Sequence, residues 1–164
     1  MSALETPASF TLRPATPDDL ASVTALLTAA KLAPNALDAQ FGSQFAVAVD
    51  PASGAVIGAA GIERYGLGAD AVGLLRSAVV DGQWRGRGIG AALTHDRLAW
   101  AEHASLRAVY LLTETAAEYW PRFGFERTDR ADAPSVLAAS HEWRLGCPAS
   151  AVAMRLTLGP ALLP

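Results

Sequence analysis

The chain has 164 residues, of which 51% are apolar and 18% charged, with a formal net charge of −3. That length and balance describe one globular domain with a sizeable core and exclude a disordered chain. The negative charge excludes bulk attraction to nucleic acid, and no uncharged apolar stretch is long enough to span a membrane.

The opening residues, MSALETPASF, carry Glu5 and lack both a basic start and an apolar block, so no signal peptide is expected. Cys147 is the single cysteine; it excludes an internal disulfide and points to a reducing, cytoplasmic setting. Phe10 to Arg13 reads as a short strand. Thr16, Pro17 and Asp19 supply a helix cap, a first-turn proline and a capping-box carboxylate, and Leu20, Val23, Thr24 and Leu27 then recur at helical spacing. A short second helix is expected around Pro34 to Gln40. Gln44 to Val49 alternates like a strand, and Asp50, Pro51, Ser53 and Gly54 make a turn. Ala55 to Tyr65 and Ala69 to Val80 read as longer strands joined by a hairpin at GLG. A helix from Ile89 to about His103 follows, then a strand from Arg107 to Thr113. Thr115 is expected to cap a short helix through Trp120 to Phe123, which Gly124 stops. FERT begins a strand, Ala133 to Leu145 reads as helical, and Ala151 to Leu158 closes the chain as a strand. The unit around the long helix is a βαβ crossover, so its flanking strands should be parallel neighbours, while the earlier strands are antiparallel. The sum is an α/β fold with a mixed sheet and helices on both faces.

Between the fourth strand and the long helix stands VVDGQWRGRGIGAAL, Val79 to Leu93. A helix start offers backbone N–H groups without intrahelical partners and a partial positive charge. Glycines let an anion approach that backbone, and Arg85 and Arg87 add two full charges. The ligand implied is a phosphate or diphosphate. The stretch is not a Walker loop, because GK[ST] is absent, nor the dinucleotide fingerprint, because its spacing is G-x-G-x-G. A solvated glycine-rich loop is the bland alternative.

Arg85-Gly86-Arg87-Gly88-Ile89-Gly90 resembles the R/Q-x-x-G-x-G/A signature of the GNAT N-acetyltransferases, and TETAAEYWPRFGF resembles their second signature. The resemblance implies a mostly antiparallel twisted sheet of six to seven strands, about four helices, and splayed central parallel strands. It implies acetyl-CoA as cofactor, with the diphosphate on the amides of Gly86, Gly88, Gly90 and Ala91 and the pantetheine arm along Ala78, Val79 and Val80. It also implies a small-molecule amine as partner and a homodimer as the common assembly. GIERYG, LLRS, YLLTETA and CPASAVAM are similar to the arsenic-resistance N-acetyltransferases, which implies an amino-acid-like toxin as acceptor. A protein lysine or N-terminal acetyltransferase and a non-catalytic acyl-CoA sensor are the competing classes.

The transfer needs a neutral amine, donors for an oxyanion, and a stable leaving thiolate. A lysine-like amine with a pKa near ~10.4 is neutral about once in 10³ at pH 7, so a base matters. Glu63, at a strand end in IERYG, is the first choice; the alternative is a surface acid paired with Arg64 or Arg13. Glu114 is the second, with helix capping as its alternative. Asp81 makes the turn before Gly82. Relatives place tyrosine four residues before Gly-Phe as proton donor; here Trp120 stands there, and an indole N–H donates a hydrogen bond without giving up its proton. Core packing is the alternative for Trp120 and for Tyr119. Thr113 stands where relatives carry asparagine toward the cofactor arm and offers one hydroxyl. Arg76, among apolar strand residues, must find an anion: a carboxylate across the sheet or a substrate carboxylate. Ser77 points to the opposite face in a regular strand, and a bulge would change that parity. His95 and His103 lack a third ligand at metal spacing, so no metal site is expected. Cys147 is expected as a buried or loop thiol, and Trp84, Trp100 and Trp143 as packing residues.

Overall fold

A computed structural model describes residues 9–146 and 150–159. Seven strands form one sheet: β1 (Thr11–Pro14), β2 (Phe45–Val49), β3 (Val56–Tyr65), β4 (Val72–Val80), β5 (Ala108–Thr113), β6 (Glu126–Thr128) and β7 (Val152–Thr157), hydrogen-bonded in the order β1-β2-β3-β4-β5-β7-β6. β1/β2, β2/β3, β5/β7 and β6/β7 run antiparallel, and β4/β5 run parallel as the crossover requires. The parallel register is Gly73↔Val109 and Leu74↔Tyr110, after which β4 continues to Val80 and β5 to Thr113. The chain divides into two compact units, the residues up to Gly61 with Ser77–Arg97, and Ile62–Arg76 with the residues from Leu98 onward.

In the first unit, the Asp19 carboxylate accepts the Thr16 N–H at 2.8 Å and two hydrogen bonds from the Arg13 guanidinium at 2.7 and 2.9 Å. This capping box launches α1 (Leu20–Ala29) from a single 3₁₀ turn at Pro17–Asp19. Helix α1 buries Val23 and Leu27 against Phe45, Val47, Ala59 and Val79. One residue earlier on β3, a Cβ at Gly58 would stand 3.2 Å from Ile89 and Leu93. Neighbouring strand residues face opposite ways, so α1 and α2 (Ile89–His103) cover opposite faces of this part of the sheet. Gly61 leaves the room that the Phe45 ring fills.

In the second unit, Val72 and Leu74 pack with Ala108, Tyr110, Leu137, Trp143 and Ala153. Arg76 shares their strand parity. Ser77 then takes φ 59°, in the left-handed region, so the alternation of β4 changes phase there.

Three helical expectations are corrected. Pro34 to Gln40 holds one 3₁₀ turn, Leu37–Ala39, entered through Ala36 at φ 47°. Ala133 to Leu145 splits into a 3₁₀ turn, Ser135–Ala139, and a π turn, Glu142–Gly146, because Ser140 between them is extended and its hydroxyl takes the Trp143 N–H at 3.1 Å. The turn Trp120–Phe123 is capped at Tyr119 rather than Thr115. Among the described residues, α1 and α2 are the α-helices.

Candidate active site

The glycine-rich stretch folds as a turn that leads through two positive-φ glycines into the start of α2. Asp81 makes the turn expected of it: its carboxylate accepts the Gln83 N–H at 2.9 Å and its carbonyl the Trp84 N–H at 2.8 Å. Gly86 and Gly88 follow at φ 81° and 80°, conformations that favour glycine, and nothing lies within 4 Å of where their side chains would begin. The Gly88 carbonyl accepts the Ala92 N–H at 3.0 Å, the first bond of α2. The amides of Gly88, Ile89, Gly90 and Ala91 therefore precede the intrahelical ladder. Gly88 stands at the N-cap and has no side chain to satisfy them. Arg85 and Arg87 are both exposed. Arg85 Nε reaches the Val80 carbonyl at 3.5 Å, and Arg87 lies 4.6 Å over the Trp84 ring while bonding the Gln83 carbonyl at 3.4 Å. Upstream, Ala78 and Val80 are half-buried and Val79 is buried. The predicted residues Ala78 to Val80, Arg85 to Gly88, Gly90 and Ala91 thus lie on one strand end, its loop and the helix start.

A second polar cluster occupies the other unit. Glu63 is 1% exposed and Arg76 5% exposed. Glu63 is not the surface acid that a pairing with Arg64 or Arg13 would require. Its Oε2 stands 3.3 Å from Arg76 Nη1, and its Oε1 accepts the Tyr65 hydroxyl at 2.7 Å. The other nitrogen of Arg76, Nη2, lies 3.6 Å from Oε2 of Glu142. Ser140 hydrogen-bonds the Tyr65 hydroxyl. Burial, and then the neighbouring carboxylate, push the Tyr65 phenol up to about 12. Of the two readings of Arg76, the structure presents the carboxylate across the sheet. Tyr65, Ser140 and Glu142 escaped the sequence reading. Tyr65 was within reach of it, two residues past Glu63 on the same strand face. Ser140 and Glu142 lie in the segment misread as one helix.

The remaining predicted residues separate. Glu114 is exposed on the bend after β5. Thr113 is buried, and its hydroxyl accepts the Ala116 N–H at 3.0 Å, which ties it to the local turn. Trp120 is 9% exposed and packs edge-on against Tyr119 and Phe125. Tyr119 is half-buried, with the Arg122 guanidinium 4.4 Å over its ring. Ser77 is half-buried at the phase change of β4. His95 and His103 are exposed on α2, and no group of three metal-ligating side chains gathers among the described residues. No helix among them is long and apolar enough to cross a membrane. Cys147 and Pro148 lie outside the described residues.

Residues 41–127, from before β2 through the cradle into β6, match the model of the acetyltransferase (GNAT) domain family. The chain belongs to the GNAT acetyltransferase family. By that membership it carries an acetyltransferase domain. No curated protein sequence matches the chain significantly. Among solved structures, the chain is similar to N-acetylglutamate synthase from Neisseria gonorrhoeae, complexed with coenzyme A and N-acetyl-glutamate, at a TM-score of 0.75 and 18% identity. That match covers 92% of this chain and 35% of the synthase chain, so the GNAT chain spans about a third of that relative. It is similar over 90% of its length and 99% of the other's to Rv2747 from Mycobacterium tuberculosis, in complex with CoA and NLQ, at TM-score 0.69 and 23% identity. Arabidopsis thaliana Naa50, in complex with the bisubstrate analogue CoA-Ac-MVNAL, matches at TM-score 0.65 and 18% identity over 92% of this chain and 99% of its own. At these identities the structural likeness is one of fold alone.

Proposed function

We propose that the chain acts as one acetyltransferase domain, residues 1–164, that acetylates the primary amine of a small, amino-acid-like molecule. The observation that carries this reading is the run of amides from Gly88 to Ala91, ahead of the first intrahelical bond of α2 and flanked by Arg85 and Arg87. Such a cradle fits a diphosphate in both charge and clearance: a helix N-terminus, two flanking arginines, and open space over Gly86 and Gly88. The backbone of Ala78, Val79 and Val80, beyond the parallel register, offers hydrogen-bonding groups to the pantetheine amides and a donor for an oxyanion. When bound, acetyl-CoA supplies the activated acetyl group. Glu63 takes the proton from the acceptor amine. Arg76 pairs with Glu63 across the sheet instead of anchoring a substrate carboxylate. Trp120 gives up no proton at neutral pH, so a leaving thiolate, with a thiol pKa near ~8.5, would need none from it.

Small acceptors are supported by the neighbours solved with N-acetyl-glutamate and NLQ. A peptide acceptor draws on the Naa50 neighbour and its peptidyl bisubstrate analogue. The narrower reading, a toxin carrying arsenic or phosphorus on an amino-acid skeleton, rests on GIERYG, LLRS, YLLTETA and CPASAVAM. The first two of these blocks contain Glu63, Tyr65 and Arg76.

A thiol-release assay decides between these acceptors. The panel comprises free α-amino acids, their phosphinate and arsonate analogues, simple alkylamines and N-terminal peptides, alongside thermal shifts with acetyl-CoA. The proposal expects release with at least one amino-acid-like amine and none with peptides. Release with peptides alone would replace it by a protein acetyltransferase. A clear thermal shift with a silent panel would replace it by an acyl-CoA sensor.

A further inference from the structure

Glu63 poses a problem for any acceptor that must hand it a proton. Its side chain is 2% exposed. Both oxygens are engaged, Oε1 by the Tyr65 hydroxyl at 2.7 Å and Oε2 by Arg76 at 3.3 Å. A proton passing to the carboxylate along one of these contacts must move through the phenol or the guanidinium. A guanidinium stays protonated at every relevant pH and cannot relay. The phenol can, because it holds one proton to give and lone pairs to receive another. Tyr65 is half-buried, the more open of the two.

We propose that Tyr65 is a catalytic residue that carries the proton from the acceptor ammonium to Glu63. The proposal rests on the reading of Glu63 as the base. In the step, the ammonium N–H proton passes to Tyr65 Oη as the phenolic proton passes to Glu63 Oε1. The N–H bond breaks, its electron pair stays on the now neutral amine, Tyr65 ends neutral as it began, and Glu63 ends as the carboxylic acid.

The hydrogen-bond polarity around the pair favours this direction. The Trp143 amide can only donate, and it donates to Ser140 Oγ at 3.1 Å. The Ser140 proton is thereby free for the Tyr65 oxygen, and the Tyr65 proton points to Glu63. Arg76 closes the far side, with Glu142 beyond it. A phenol whose titration lies at about 12 holds no negative charge near neutrality, so it passes a proton without storing one. Among the described residues, Tyr65 on its own strand and Arg76 on β4 contact Glu63, and Glu142 faces Arg76 from the π turn.

The test compares the full-length wild type with Tyr65→Phe and Glu63→Gln, using acetyl-CoA and the panel amine that releases thiol fastest. Tyr65→Phe is expected to lower kcat by about 10²-fold or more, with the amine KM and the acetyl-CoA thermal shift unchanged. In mixtures of light and heavy water, the wild-type rate should bow below a straight line, as two protons in flight require. The residual rate of Tyr65→Phe should fall on the line. Independently of turnover, the infrared difference between wild type and Glu63→Gln isolates the Glu63 carboxylate band, which should move in Tyr65→Phe. An unmoved band, a linear wild-type dependence, or a Tyr65→Phe rate within about threefold of wild type would overturn the relay. An active Glu63→Gln would overturn the base reading beneath it. An inactive Glu63→Gln beside an active Tyr65→Phe would remove the relay alone.

Discussion

Arg76 is a guanidinium in the apolar run LLRSAVV, with a side chain 2% exposed. Ions that deep lose most of their hydration, and what compensates is a second ion with good geometry. Glu63 at 3.3 Å and Glu142 at 3.6 Å supply it twice over. Removing the cation alone would strand Glu63, whose side chain is equally buried. Arg76→Met is expected to lower the unfolding free energy by about 3 kcal/mol, and Arg76→Met with Glu63→Gln by less than the single change. Urea denaturation of both variants measures this; a double variant no better than the single would show that charge burial is not what Arg76 resolves. The need for an anion was legible from one arginine among leucines and valines. The identity of that anion was not. Arg13, offered as a partner for Glu63, instead holds Asp19. Side-chain partners on distant strands leave no local trace.

At the level of elements, the clearest signals were those with local chemistry. Thr16, Pro17 and Asp19 marked the start of α1, and the RGRG stretch followed by good helix formers marked that of α2. The misread segment, Ala133 to Leu145, has helix formers in quantity, yet Ser140 diverts the backbone and spends its hydroxyl on Trp143 N–H. A serine that bonds its own backbone competes with the helix ladder, which composition does not reveal. The capping box also makes α1 sensitive to acid. Hydrogen bonds from Arg13, and then from the Thr16 N–H, hold the Asp19 carboxyl below its ordinary value of 3.8. A carboxyl lowered in the fold stabilises it fully above the unfolded value and loses that contribution as the pH falls through the folded one. Asp19→Asn should therefore lower Tm at neutral pH, modestly, because Arg13 is solvent-screened, and the two melting curves should converge as the pH falls below about 4. A gap that stays constant down to strong acid would assign the effect to helix capping without charge.

Across the whole chain, the family match from residue 41 to 127 runs through segments of both compact units, and the sheet gathers all seven strands. The mixed sheet and the parallel β4/β5 pair followed from alternating elements and the crossover rule. The insertion of β7 between β5 and β6 did not follow, because it pairs segments far apart in sequence. The cradle was the most legible part of the candidate site, since its residues are consecutive. The Glu63 cluster was the least, since its members come from β3, β4 and the 140–142 stretch.

The central claim is that main-chain amides at the start of α2, with Arg85 and Arg87 beside them, hold the diphosphate of acetyl-CoA. Calorimetric titration of acetyl-CoA into the wild type, the Arg85→Glu/Arg87→Glu double variant and Gly88→Val tests it most directly. The account predicts that charge reversal costs about 2 kcal/mol or more, a loss of ~30-fold in Kd, and that a side chain at Gly88 weakens binding while both arginines remain. Equal Kd values for all three proteins would contradict it.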